Sequence, residues 1–452
     1  MSLLTELYHI ISGLGSYLLL PVFFFVLVLF SRRDWRYAGQ CALTVLGCTV
    51  GMNLLISRLG SELVTLTNAM LEQYSLGAAA QNLHFSAAGP ILFSSHIVYY
   101  MLPAYILANI LLVACKATRV VNLDLWSFWQ VALIGTLVEH LTGQFWYGMV
   151  AALLLGILQL LLADVFAPQV SSLTGCDNIT FTHSLALGSV PAAWGFNRLV
   201  DLSPSLRGKA FRLDRRRESS GFLMEPTLWG LVIGFVLAMV SGCDIYDSVS
   251  FALILAGCLF ALPRLLRVLA RALSSATEPF AVRAAPYNLP PLRFSVSALI
   301  GIANPTVILV AVIMTPVSVL LGCVLPGNIV LPQGDIAMLL YAMIFVVAIS
   351  RGCFIRSLVS GALSVAAMLY CGTALTQLFS QTAAAADPAA YGSGLFNILC
   401  NGANPLALLT VEGASFGVAG LAALGVITLA CIFLNARRIR RMGEKASVAE
   451  KH

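Results

Sequence analysis

Six ionisable residues stand inside or at the edges of long apolar stretches: Glu139, His140, His183, Glu225, Asp335 and Glu412. A charge or an imidazole held in hydrocarbon is costly, so each is a candidate functional group. Their chemistry is that of recognition. A carboxylate accepts from two hydroxyls, and a neutral imidazole donates and accepts at once. Both suit a polyhydroxylated ligand.

Each has an ordinary role beside the functional one. Glu139 and His140 sit near one end of an apolar run, where they either meet interfacial water or reach substrate hydroxyls. His183 lies in Thr182-His183-Ser184, among backbone-breaking Gly and Pro, which favours a ligand contact over simple packing. Glu225 precedes Pro226, a pattern that also opens a helix. Asp335 ends Leu331-Pro332-Gln333-Gly334-Asp335 and is expected to cap the helix after it. Asn404, in Ala403-Asn404-Pro405, joins the candidate substrate contacts, and Glu412 follows that stretch.

Bond-making chemistry lacks its motifs. There is no G-x-x-x-x-G-K-[ST] and no H-E-x-x-H. Gly413-Ala414-Ser415-Phe416-Gly417 matches G-x-S-x-G, but that elbow needs a strand and a soluble sheet around it. Here it opens an apolar run, so its small residues are expected to pack helices. The 11 cysteines are scattered without a C-x-x-C pair, which indicates neither zinc nor a disulfide framework. No catalytic residue, metal or cofactor is expected on this chain.

The elements that must position these groups are membrane helices. Of 452 residues, 59% are hydrophobic and 10% charged, and the mean hydropathy is +0.90. That excludes a water-soluble fold, which carries roughly 25% charged residues. The net charge of +6 belongs to membrane orientation and not to nucleic-acid binding, for which no basic, aromatic-interleaved stretch exists. Spans are expected at 10–31, 38–57, 91–115, 126–142, 146–166, 223–241, 248–263, 304–325, 336–350, 357–377 and 415–434, with a tail at 435–452. The first reads as a span and not as a cleaved signal peptide. Alternating the loops puts every Lys and Arg except Arg58 on one side. The positive side is cytoplasmic, so the N-terminus is expected outside and the C-terminus inside.

Three stretches resist this pattern: 167–194, 295–305 and 392–406. Backbone that leaves the helix at membrane depth must be satisfied by protein or line a wet cavity, and transporters build substrate sites there. Re-entrant hairpins are expected, the firmest at 167–194. The basic segment 198–217 either docks an acidic partner or holds anionic lipid.

The order of several motifs resembles the galactitol-type IIC subunits of bacterial phosphotransferase systems. They are Thr118-Arg119-Val120-Val121-Asn122-Leu123-Asp124-Leu125-Trp126, Val324-Leu325-Pro326-Gly327-Asn328 continuing to Gly334-Asp335, Glu225-Pro226 with Gly230, and Arg351-Gly352 with Phe354 and Arg356. The resemblance implies an all-α polytopic fold of about eleven spans, similar to the ascorbate-type IIC proteins. It further implies a core domain with re-entrant hairpins that moves elevator-fashion against a dimerising scaffold domain. A polyol or sugar would enter from the periplasm and be phosphorylated on release, by a phosphocysteine on a separate IIB protein charged by IIA. Where family members carry Pro-His-Gly, this chain has Thr182-His183-Ser184, and its His140 stands one place after the family's histidine. Those differences leave another polyol or sugar open as substrate. The competing reading is a proton-coupled transporter using Glu139, His140 or Glu225.

Overall fold

In hydrocarbon a chain must satisfy its backbone internally, and long apolar runs do so as helices. A computed structural model describes residues 20–30, 34–203, 225–284 and 291–449. Most of the basic segment 198–217 and the start of the first expected span lie outside the described residues. Among the described residues, seven helices are long and apolar enough to cross a membrane: Trp35–Gln73, Ile97–Ala114, Phe145–Val165, Ile245–Ser274, Pro305–Val324, Phe354–Ala386 and Gly417–Met442. Leu20–Phe30, Pro226–Val240 and Ile336–Ile349 are shorter apolar helices. Leu125–Thr142 is buried continuously from Val131 to Val138. The architecture is that of a mostly helical, polytopic membrane protein.

Several helices outrun their apolar stretches. Trp35–Gln73 continues through 59–73, where a loop is expected from the sequence. Leu59, Leu63, Leu66 and Thr67 are buried at helical spacing, so an amphipathic face carries the helix onward. Pro226–Val240 packs on the 245–284 helix, whose backbone at Ala252 and Ala256 lies where side chains at Gly234 and Gly230 would stand. The 245–284 helix packs in turn on Trp35–Gln73, with the Cys258 thiol on the Leu55 carbonyl. These three helices form one layer beside the rest.

The remaining helices are tied together by short parallel strands that hydropathy does not reveal. Strands β1 (Gln81–Asn82), β2 (Val120–Asn122), β3 (Ile179–Thr180), β4 (Arg293–Ser295) and β5 (Phe396–Asn397) form two clusters. One has the order β2-β4-β3, and the other pairs β1 with β5. Helix Ile97–Ala114 separates β1 from β2, and 18 residues span about 27 Å, so the clusters sit at opposite ends of the helices. They are built alike. Asn122 pairs with Ser295 and Leu123 N–H donates to Ser295 O; Asn82 pairs with Asn397 and Leu83 N–H donates to Asn397 O. Each pairing satisfies backbone at a point where the chain is not helical.

The three-stranded end also holds a buried ion pair. Arg119 donates to Asp164 Oδ1 through Nε and Nη2, at 2.8 and 2.6 Å, and its backbone N–H donates to Oδ2. Thr118 Oγ1 and Asn435 Nδ2 also donate to Oδ2, so the carboxylate ties the 118–119 turn and the last helix to Phe145–Val165. Removing one member of a buried pair strands the other charge, at about 3–5 kcal/mol. Asp164→Asn is therefore expected to lower the unfolding free energy by about that much. Glu62→Gln, which breaks the Arg58–Glu62 pair with its exposed arginine, should cost under about 1 kcal/mol. Denaturant unfolding of the purified variants in detergent checks the contrast; equal losses would contradict it.

Candidate substrate site

Two broken segments, one from each half of the chain, meet inside the helices. The first follows β3. Its Thr182 N–H donates to Ser295 Oγ at 3.0 Å, and Thr182 Oγ1 donates to Asn122 Oδ1 at 2.9 Å, so the strand cluster fixes the residue before His183. The helix Ser184–Gly188 follows, then Val190–Leu202 with Pro191 in its first turn. The second segment follows β5: Leu399–Gly402, then Pro405–Ser415 capped by Asn404, whose Oδ1 accepts from Ala407 N–H at 2.9 Å. The segments touch at Gly188, where an added Cβ would lie 2.4 Å from Asn404 Cβ. Only glycine allows that approach. Asn404 Nδ2 also reaches Ser184 Oγ at 3.5 Å.

Around this contact lies a buried cluster without a charge. Ser184 N–H donates to Gln130 Oε1 at 2.7 Å. That makes Gln130 Nε2 a donor, and it faces His183 Nε2 at 3.2 Å. The histidine therefore accepts at Nε2 and carries its proton on Nδ1. Nδ1 is buried and has no partner among the described residues. Gln159 Nε2 donates to Ser184 Oγ at 2.7 Å, and Gln159 Oε1 is likewise buried and unpartnered. The imidazole stacks on Tyr341, with ring centroids 4.8 Å apart and planes 11° apart. The cluster thus offers one donor and one acceptor, both desolvated. Buried polar groups nearly always have partners, so such exceptions call for an explanation.

The sequence candidates divide. His183 and Asn404 belong to the cluster. Asp335 lies next to it: with Leu185 and Cys400 it lines a void of about 10 Å³. Its expected role as a helix cap is corrected by the structure. No cap hydrogen bond forms; Oδ2 instead accepts from Cys400 N–H at 2.7 Å, and Oδ1 has no partner among the described residues. Glu139 stands nine residues beyond Gln130 on the same helix, about 13 Å away, and accepts from Ser95 Oγ at the break before Ile97. His140 is exposed. Glu225 is exposed at the start of Pro226–Val240, in the three-helix layer, and Glu412 is exposed on Pro405–Ser415. Gln130, Gln159, Ser184 and Tyr341 were not among the candidates. Buried amides at 130 and 159 inside apolar runs carry the same signal as a buried charge, and a search confined to ionisable groups passes over them.

Together these features define a class: a polytopic membrane protein with a neutral, hydrogen-bonded cluster between broken helices, the kind of place where transporters build their sites. The comparisons narrow it. Residues 9–390 match the family described as the PTS system sugar-specific permease component, EIIC-GAT. The chain is 25% identical to the PTS system galactitol-specific EIIC component of Escherichia coli K12 over 99% of its length and 100% of the relative, and equally so to that of strain O157:H7. It is 23% identical to a putative permease IIC component of E. coli K12, over 96% of this chain and 100% of that one. This chain belongs to the PTS sugar-specific permease component family. It is a membrane translocation subunit, and the family implies IIA and IIB partners.

The two glutamines are expected to differ when removed. Gln130→Leu leaves Ser184 N–H unpaired in the interior, at about 1–3 kcal/mol, whereas Gln159→Leu loses a single hydrogen bond worth about 0.5–1.5 kcal/mol. Thermal unfolding in detergent should therefore rank Gln130→Leu as the less stable. The opposite order would mean that Gln130 does not hold the broken segment.

Proposed function

We propose that this chain carries galactitol or a related polyol or sugar inward across the bacterial cytoplasmic membrane, for phosphorylation by the phosphocysteine of a separate IIB protein. The observation that carries the reading is the pair of buried, unmatched atoms, His183 Nδ1 and Gln159 Oε1. A hydroxyl group accepts and donates, so a polyol supplies what each lacks. A charged ligand finds no counter-charge among Gln130, Gln159, His183, Ser184 and Asn404. The relatives' galactitol specificity points the same way. His183 and Asn404 are the contacts retained from the sequence candidates, with Asp335 beside them.

The wider arrangement belongs to the same proposal. Eleven spans, a periplasmic N-terminus and a cytoplasmic C-terminus follow from the one-sided Lys and Arg residues. The stretches 167–194 and 392–406 act as re-entrant hairpins from opposite faces. The layer of Trp35–Gln73, Pro226–Val240 and Ile245–Ala284 is suited to serve as a dimerising scaffold, against which the strand-tied core moves. The proton-coupled alternative draws no support from Glu139, His140 or Glu225, which all lie away from the central cluster.

Cells given labelled galactitol and related polyols test this, with and without the cognate IIB. Phosphorylated label that depends on IIB is expected. His183→Ala should reduce its formation at least tenfold while protein remains in the membrane. Label that arrives unphosphorylated and indifferent to IIB would overturn the reading.

A further inference from the structure

A second cavity lies at the β1–β5 end, between the end of Trp35–Gln73 and the strand pair. It is an open cleft of about 460 Å³, within the roughly 300–1,000 Å³ of small-molecule sites. Its walls combine small residues, from Gly77 to Ala80, and apolar side chains such as Leu71, Leu331 and Phe396 with the polar side chains of Gln81, Asn82, Gln333 and Ser393. Among the described residues that line it, none is charged.

Its inner edge is built. Asn82 is 4% exposed, and its Oδ1 accepts from Gln333 N–H at 2.9 Å and Asp335 N–H at 3.2 Å. Asn82 Nδ2 is buried without a partner among the described residues. The same asparagine thus joins the cleft to Asp335, which lines the small void beside Leu185 and Cys400 at the tips of the broken segments. Gly334 packs directly against β1: an added Cβ would lie 2.5 Å from Asn82 O. Gln333 Nε2 donates to Asn68 Oδ1, across to the three-helix layer.

We infer that this cleft is a second ligand site, an outer vestibule that binds the neutral, unphosphorylated polyol before it reaches the His183–Gln159 cluster. This rests on the transport reading above and adds a site to it. The amides of Gln81, Asn82 and Gln333 and the Ser393 hydroxyl match hydroxyl groups. With no cationic side chain among the described lining residues, the cleft offers a phosphate no counter-charge. The cleft therefore binds substrate and not product, which suits the face where only free sugar is present.

Membrane vesicles of both orientations, with IIA, IIB, phosphoenolpyruvate and the general soluble phosphocarrier proteins that charge IIA from it on the cytoplasmic face, separate the possibilities. Wild-type protein must first phosphorylate labelled galactitol or a related polyol in a IIB-dependent way; failure there falls on the transport reading. Ala79→Trp fills the cleft from an exposed position. It is expected to reduce phosphorylation of polyol supplied from the periplasmic face at least tenfold, and that of polyol supplied from the cytoplasmic face less than twofold. Gln333→Leu is expected to raise KM at least fivefold for periplasmic polyol alone, with the maximal rate unchanged, the signature of lost uniform binding. Unchanged uptake in Ala79→Trp, an unchanged KM in Gln333→Leu, or equal losses from both faces would each overturn the vestibule.

Discussion

Much of this molecule depends on one constraint: backbone that leaves the helix inside a membrane must find partners within the protein. The two strand clusters meet that demand with very few residues. β4 lies between β2 and β3, so one three-residue strand serves two neighbours. At the other end β1 and β5 pair over two residues, and Ala80 bridges to Val330. The side chains of Asn122, Ser295, Asn82 and Thr182 then satisfy what the strands leave open. Without these clusters the broken segments would expose unpaired amides, and His183 and Asn404 would have no fixed place.

The chemistry of the centre follows from that economy. A polar site between broken segments is expensive if charged and tolerable if neutral, because amides and hydroxyls can be satisfied by one another. Gln130 illustrates this. One amide holds Ser184 N–H and sets the tautomer of His183, and so decides that a donor faces inward. Ser184 is held from three directions, by Gln130, Gln159 and Asn404. What remains unmatched is what a sugar hydroxyl can complete.

Much of the fold was legible in the sequence, and less of the site. Apolar runs announce helices because the membrane enforces length and hydropathy together, and Pro and Gly announced the breaks near 183 and 404. Strands of two or three residues have no periodicity to detect. Nor does hydropathy register an amphipathic extension such as 59–73, where only one face is buried. Asp335 was misread because turn chemistry alone cannot see that Cys400 N–H, 65 residues later, offers a better partner. Glu139 drew attention as a buried charge, yet its local role is to hold Ser95 at a helix break. Burial cost identifies a residue with a task and does not say which task.

The two ends of the molecule differ in charge as well as in strand count. Around Asp164, at the three-stranded end, gather Arg119, Arg293 and Arg438: Arg293 is bonded to Ser171 Oγ and Asp177 O, and Arg438 to Val165 O and Asn435 Oδ1. The opposite cleft is lined by amides, small residues and apolar side chains, none of them charged among the described residues. Similar strand pairings thus carry different surroundings, cationic at one end and neutral at the other. Arg119 is paired with Asp164, whereas Arg293 and Arg438 bind neutral oxygens of a hydroxyl, an amide and two backbone carbonyls, which accept hydrogen bonds without cancelling charge, so the excess remains at that end of the field. A transporter whose substrate is neutral on one side and phosphorylated on the other needs that asymmetry. It can be built without disturbing the centre because Gln130, Gln159, His183, Ser184 and Asn404 are held by one another through neutral hydrogen bonds.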